Sequence, residues 1–217
     1  MRNEPSMIFD YIDATFASED ALLRTVREAG EALRPGMQVH AHEAKLLQVF
    51  LQLIQAKRVI EVGCFMGYSA IWMARALPDD GQLITCERNA SYAEQARKHF
   101  ETSEVKERIR LVEGDAMAHL PDIAAEAPVD AIFIDGEKRR YPDYLQAVLP
   151  HLRKGGLVMA DNSLLWGGVA DAEKEDARVS AEAKQAMKDF NAQLADETRF
   201  TSVLIPTTEG LTVAIKR

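Results

Sequence analysis

The chain has 217 residues, enough for one domain with a full core. It is 47% hydrophobic and 28% charged, and no apolar run approaches the roughly 18 residues that a bilayer crossing needs. A net charge of −8, with no basic run longer than Lys138-Arg139-Arg140, speaks against a nucleic-acid partner and for a small-molecule one.

The N-terminus carries acids among its apolar residues and lacks the basic flank and apolar centre of a secretory signal. The only cysteines, Cys64 and Cys86, have no zinc-type spacing and read as buried and reduced. A cytoplasmic location is expected.

In chain order, the stretch to about Pro35 reads as helical, with Leu22, Leu23, Val26, Ala29 and Leu33 at three- and four-residue steps, until Arg34-Pro35-Gly36 stops it. A second helix carries Leu46, Leu47, Val49, Phe50, Leu53 and Ile54. Alternation follows: strand Lys57 to Val62, helix Ser69 to Leu77, strand Gln82 to Glu87, helix Ala90 to Phe100, strand Ile109 to Val112, helix His119 to Ala127, and strand Val129 to Asp135. A helix from Tyr144 to Leu152, closed by Lys154-Gly155-Gly156, leads to strand Leu157 to Asp161. A charged helix (about Arg178 to Ala195) precedes two strands, Thr201 to Ile205 and Leu211 to Lys216. The segment between those two suits a hairpin and is too short for a helix, so the last strand is expected to run antiparallel. This predicts one doubly wound α/β domain over 1–217. Its seven-stranded sheet is mostly parallel, with helices on both faces.

In such sheets ligands bind beyond the carboxyl ends of the strands, where strand order reverses. The first strand ends Glu61-Val62-Gly63-Cys64-Phe65-Met66-Gly67-Tyr68-Ser69, a G-x-x-x-G turn. Neither the G-x-G-x-x-G of dinucleotide sites nor a Walker lysine is present, which disfavours an NAD(P)-dependent oxidoreductase. Glu87 ends the second strand, where a carboxylate can accept both hydroxyls of a ribose. Gly114-Asp115-Ala116 after the third can read an adenine edge. In this order the three turns suit a nucleoside with no phosphate requirement, such as S-adenosylmethionine. Each turn alone reads equally as structural.

Asp135 ends the fourth strand, and Asp161 and Asn162 end the fifth. Three oxygen donors without His or Cys suit a hard cation, Mg²⁺ first, with Ca²⁺ or Mn²⁺ acceptable. The bland reading is turn formation and capping by Asp and Asn. Lys138, three residues after Asp135, is a candidate general base if neighbouring positive charge disfavours its own. Otherwise it is a surface lysine. His40-Ala41-His42-Glu43 reads as the polar start of a helix and also admits a second metal site.

The motifs Glu61 to Ser69, Asp135-Gly136-Glu137-Lys138 with Tyr141, and Asp161-Asn162 resemble the cation-dependent O-methyltransferases, the family of the caffeoyl-coenzyme A and catechol O-methyltransferases. The resemblance runs from about Met37 to the C-terminus. It implies a Rossmann-like class I methyltransferase fold and methyl transfer to a small catechol-like aromatic hydroxyl acceptor. It also implies that Met37 and Val39 pack on the cofactor. Glu61, Gly63, Phe65, Tyr68 and Ser69 would surround its methionine part. Glu87 would hold the ribose with Arg88 beside it, and Asp115 and Ala116 would face the adenine. Asp135, which also reaches the cofactor, would bind the metal with Asp161 and Asn162. Lys138 and Asp135 would be the catalytic pair. A homodimer is implied as well. Gly136 departs from the alanine or aromatic residue that relatives often carry, and Trp166 falls one residue later than theirs. Residues 1–36 and the loop from Ser163 to Ala177 are expected to cover the acceptor, with 1–36 alternatively a dimer contact. The remaining alternatives are a methyltransferase for another acceptor, RNA or protein included, and a non-catalytic nucleoside-binding protein. The missing basic stripe disfavours RNA, and the Asp135, Lys138, Asp161 and Asn162 set disfavours a mere binder.

Overall fold

Seven strands pair into one sheet in a computed structural model that describes residues 6–171, 173, 176–207 and 209–217. The first five residues of the expected N-terminal segment and positions 172, 174 and 175 of the expected covering loop lie outside the described residues. The strands are β1 (Arg58–Val62), β2 (Gln82–Glu87), β3 (Ile109–Glu113), β4 (Val129–Ile134), β5 (Leu152–Ala160), β6 (Phe200–Ile205) and β7 (Leu211–Lys216), in the order β3-β2-β1-β4-β5-β7-β6. β1 to β5 pair parallel, and β7 runs antiparallel to both β5 and β6. The doubly wound, mostly parallel architecture is as expected. Strand order reverses between β1 and β4.

Side chains alternate across the strands and divide the core in two. Val59, Phe133, Met159 and Val213 face one layer, packed by α2 (Ala21–Leu33), α3 (Ala41–Leu53), α4 (Tyr68–Ala74) and α5 (Ala90–Glu101). Ile60, Ile132, Val158 and Ala214 face the other, packed by α6 (Ala116–Ala125), α7 (Tyr141–Val148) and α8 (Ala181–Leu194). Side-chain caps start several of these helices. Asp20, Asn89, Asp115 and Ser180 each accept a backbone N–H of the following turn.

Several boundaries differ from expectation: α4 ends three residues early, α6 begins three residues early at Ala116, and two further differences have a clear cause. The N-terminal helical stretch is two helices, α1 (Ser6–Phe16) and α2, because the Asp20 carboxylate captures the Leu23 N–H at 2.9 Å and begins a new helix. The helix expected to run from Tyr144 to Leu152 spans Tyr141–Val148 instead, and β5 begins at Leu152. Lys154-Gly155-Gly156 therefore lies inside a strand. The register slips there, with Val129 opposite Leu152 but Ala131 opposite Leu157. A β-carbon on Gly156 would sit 2.9 Å from the Arg153 and Asp130 carbonyls, so glycine admits a bulge where a helix stop was expected. Cys64 and Cys86 are free and buried, as expected. Among the described residues no helix is long and apolar enough to cross a membrane.

Phe190 of α8 is fully buried and meets the Tyr141 ring edge-on at 5.3 Å. Phe190→Ala should lower the unfolding free energy by roughly 3–5 kcal/mol, seen as a lower urea midpoint at unchanged m value.

Candidate active site

The hydrogen-bond ladder of the parallel strands runs one residue past the strand ends. Gly63 N–H donates to the Cys86 carbonyl at 3.0 Å, Asp135 N–H to Val62 at 2.8 Å, Asp161 N–H to Ile134 at 3.0 Å and Gly114 N–H to Glu87 at 2.8 Å. The residues that follow the strands are thus locked side by side, around a cleft of about 810 Å³.

At one end lies the glycine turn. Gly63 has φ +97, and a β-carbon there would strike the Asp135 carbonyl. Gly67, at φ +87, starts α4, and a β-carbon there would meet the Phe100 ring. The Glu87 carboxylate braces the turn, its Oε2 accepting Phe65 N–H at 2.8 Å and Cys64 N–H at 3.2 Å while Oε1 accepts Asn89 N–H at 2.8 Å. Glu61 is wholly buried, and Ser69 donates to its Oε1 at 2.6 Å. Its Oε2 is buried with no hydrogen-bond partner among the described residues. Burial pushes the Glu61 carboxyl up to about 7 against the pull of the Ser69 hydroxyl, and the Asp135 and Glu87 charges add to the rise. Burial also pushes the Cys86 thiol up to about 12.

At the other end Lys138 Nζ donates to Asp135 Oδ1 at 2.9 Å and to the Tyr141 hydroxyl at 3.0 Å. Tyr141 in turn donates to the Asp161 carbonyl at 3.0 Å. Burial works against the Lys138 charge, but the Asp135 carboxylate outweighs it and the ammonium is held above the usual lysine range. Asp161 stands well above the usual carboxylate range, through burial first and then the charges of Asp135 and Glu43. The Asn162 amide Nδ2 donates to Asp161 Oδ2 at 3.2 Å and to Glu209 Oε2. Trp166 Nε1 donates to Glu209 Oε1 at 2.7 Å. The Arg178 guanidinium lies 4.2 Å from the centre of the Trp166 ring.

Most of the residues singled out in the sequence come together here. Met37, Val39, Gly63, Phe65, Tyr68 and Ser69 line the cleft. So do Glu87, Arg88, Asp115, Ala116, Asp135, Lys138 and Asn162. Glu61 and Asp161 are buried, with relative exposures of 0% and 6%. Several side chains have other partners. The Tyr68 hydroxyl donates to Glu19 at 2.6 Å, Arg88 pairs with Glu137 at 3.2 Å, and Asp115 caps α6 and binds Arg140 at 2.7 Å. The Arg140 guanidinium holds the Asp115 carboxyl below the usual range. A β-carbon on Gly136 would lie 2.8 Å from Val62 and 3.2 Å from the Tyr144 ring, so glycine there answers to tight packing.

Among the described residues no group of three or more His, Cys, Asp or Glu side chains is arranged to hold a metal. The second metal site admitted at His40, His42 and Glu43 is therefore not found. Those residues begin α3, with Glu43 Oε2 accepting the His40 N–H at 3.0 Å. The Asp135, Asp161 and Asn162 set has two carboxylates and an amide. Its donors include an oxygen from each side chain, and Asp161 is raised by burial first and then by like charges, a setting that suits a hard cation. Sequence reading passed over Arg140 and Glu209. Glu209 sits in a segment that reads only as a turn, and Arg140 in one that reads only as a short basic run.

A family model described as O-methyltransferase matches residues 13–217. The chain is 35% identical to a catechol O-methyltransferase of Niastella koreensis over 92% of this chain and 91% of that one. It is 33% identical to a catechol O-methyltransferase of Mycobacterium tuberculosis over 80% of this chain and 78% of that one. Among solved structures, the O-methyltransferase TomG of Streptomyces achromogenes in complex with SAM superposes with a TM-score of 0.86 at 32% identity, covering 97% of this chain and 96% of that one. An O-methyltransferase of Bacillus cereus in complex with SAH superposes with a TM-score of 0.86 at 28% identity, covering 97% of each chain.

The position of Glu61 predicts a pH signature. Its folded-state pKa, raised from 4.5 to about 7, makes a contribution that is fully present below pH 4.5 and lost as pH rises through about 7. Glu61→Gln removes that dependence. Urea unfolding of variant and wild type should therefore diverge between pH 4.5 and pH 8, the variant gaining about 3 kcal/mol relative to wild type. A constant difference across that range would mean that Glu61 titrates normally.

Proposed function

This chain belongs to the O-methyltransferase family, and from that premise we propose that it transfers the methyl group of S-adenosylmethionine to a hydroxyl of a small catechol-like acceptor, assisted by a divalent cation. The observation that carries this reading is the meeting, in one cleft, of the Glu87-braced glycine turn with Asp135, Lys138 and Asn162.

The glycine turn takes the methionine part, with Phe65, Tyr68 and Ser69 around it and Glu61 beneath. Met37 and Val39 close over the cofactor. Glu87, whose Oε1 retains a lone pair beyond its one backbone bond, receives the ribose next to Arg88. Asp115 and the Ala116 backbone border the adenine. The cofactor supplies a methyl group on a cationic sulfur, which leaves as a neutral sulfide once the methyl carbon bonds to the acceptor oxygen.

Asp135, Asp161 and the Asn162 carbonyl oxygen would hold the cation, Mg²⁺ first, with Ca²⁺ or Mn²⁺ acceptable. Such an ion lowers the pKa of a coordinated phenol and favours the phenolate. The chain's own part is to line up the acceptor oxygen with the methyl carbon, since alignment alone removes several kcal/mol of barrier. Lys138 holds its proton while Asp135 faces it. With the Asp135 charge engaged by the cation, Lys138 would first release its own proton to solvent, and the neutral Nζ would then accept the hydroxyl proton. Residues 1–36 serve as acceptor lid or dimer contact within a single domain over 1–217. Met7, Tyr11 and Leu53 are exposed on α1 and α3 at 71%, 64% and 73%, which supports a homodimer. The enzyme is taken as cytoplasmic, with neither nucleic acid nor membrane as partner.

Labelled methyl transfer from S-adenosylmethionine to a panel of catechols and caffeoyl esters tests the reaction, with Mg²⁺ and with EDTA. Mg²⁺-dependent labelling is expected, and undiminished labelling in EDTA would remove the cation from the mechanism. Asp135→Ala and Asp161→Ala should each lower kcat/KM by roughly 100-fold or more while cofactor affinity changes far less.

A further inference from the structure

The turn between β6 and β7 sets a carboxylate against two residues at the acceptor end of the cleft. Glu209 Oε1 accepts the Trp166 indole N–H at 2.7 Å, and Oε2 accepts the Asn162 amide. The backbone joins the same two segments, with Ser163 N–H donating to the Gly210 carbonyl at 2.9 Å and Leu164 N–H to that of Glu209 at 3.0 Å. The segment so held is strained. Asn162, Leu165 and Trp166 have φ of +56, +46 and +54, a region that leucine and tryptophan rarely adopt. Such a conformation persists only where its surroundings over-determine it.

The partners also decide which way the Asn162 amide faces. Its Nδ2 donates to Asp161 Oδ2 and to Glu209 Oε2, and Asp161 Oδ1 and Glu209 Oε1 are taken by the Asn162 backbone N–H and the Trp166 indole, so the nitrogen turns toward the two acids. The carbonyl oxygen is then the atom left to ligate. Groups behind a ligand commonly fix its orientation in this way. Trp166 is fixed at its N–H by Glu209, lies beneath the Arg178 guanidinium, and lines the cleft.

We propose that Glu209 is a positioning residue that acts through Asn162 and Trp166. It turns the Asn162 carbonyl oxygen toward the cation position and holds the indole as a wall for an aromatic acceptor. This rests on the function proposed above. A glutamine at 209 keeps the size but presents an N–H to one of the two donors, so both bonds cannot survive together.

The test uses the full chain labelled with 5-fluorotryptophan. Its two tryptophans give two ¹⁹F resonances, assigned with Trp166→Phe. In Glu209→Gln the Trp166 resonance should shift and the Trp72 resonance stay. Mn²⁺ affinity, read by electron paramagnetic resonance without acceptor, and KM for catechol should each worsen about tenfold. The dissociation constant for S-adenosylmethionine should hold within about twofold, because Glu209 acts at the far end of the cleft. Glu209→Asp keeps both acceptor oxygens and should recover part of the loss. An unmoved Trp166 resonance overturns the proposal. So does a shift that leaves Mn²⁺ affinity and KM at wild-type values, since Glu209 then only fastens a loop. A parallel loss of cofactor affinity also overturns it, as general damage. A wild-type chain that binds no Mn²⁺ sinks the cation reading instead, and Glu209 is then judged by the ¹⁹F shift and the catechol KM. A wild-type chain that methylates no catechol sinks the acceptor reading, and the ¹⁹F shift and Mn²⁺ affinity decide.

Discussion

Everything at the site depends on how closely β1 and β4 approach where they part company. Their ladder continues through the Asp135 N–H to the Val62 carbonyl, and Gly63, whose own N–H donates to Cys86 of β2, lies against the Asp135 carbonyl. Only a residue without a β-carbon fits there. That contact fixes the glycine turn, and with it the start of α4 and the position of Ser69. It also fixes Asp135, from which Lys138 and Tyr141 follow. Because Asp161 hangs from Ile134 by the same kind of bond, the Asp161–Asn162 end of the cleft is in register with the glycine turn. The distances that matter to the chemistry are set by backbone hydrogen bonds between neighbouring strands, a rigid support.

Charge is the second constraint. Asp135, Asp161, Glu43 and Glu209 influence one another electrostatically, with Lys138 the cation among them. Burial makes this arrangement costly, as the upward displacement of Asp161 and Glu209 records. Perturbed acids of this kind gather where charge has work to do. Glu61 is a separate case. It lies beneath the glycine turn, satisfied on one oxygen by Ser69 and on the other by nothing among the described residues.

The N-terminal helices attach through polar contacts of long sequence separation. Glu19, just before α2, accepts the Tyr68 hydroxyl and pairs with Arg27 at 2.9 Å. Asp13 of α1 accepts the His42 backbone N–H at 2.9 Å and lies 2.8 Å from its Nδ1, while Phe9 stacks on the same ring. These contacts join the outer helices to α3 and α4, next to the cleft wall formed by Met37 and Val39.

Periodicity and turn residues in the sequence were enough for the alternating elements, the antiparallel last strand and the strand-end positions of Gly63, Glu87, Asp115, Asp135 and Asp161. Those features are local, since what a strand buries and where it stops depend on a few neighbouring residues. The bulge in β5 escaped, because Lys154-Gly155-Gly156 looks the same in a helix stop as in a strand that lets a carbonyl pass close by. The pairing of Glu209 with Asn162 and Trp166, of Arg140 with Asp115 and of Tyr68 with Glu19 escaped for a different reason. Each joins residues about 25 to 49 positions apart. Such partners meet only once strand order and helix packing have been chosen by burial of the whole core. The sequence by itself determined which chemical groups stand at the strand ends. Tertiary structure alone decided which of them touch, and therefore which are held still, which keep their protons and which way the Asn162 amide faces.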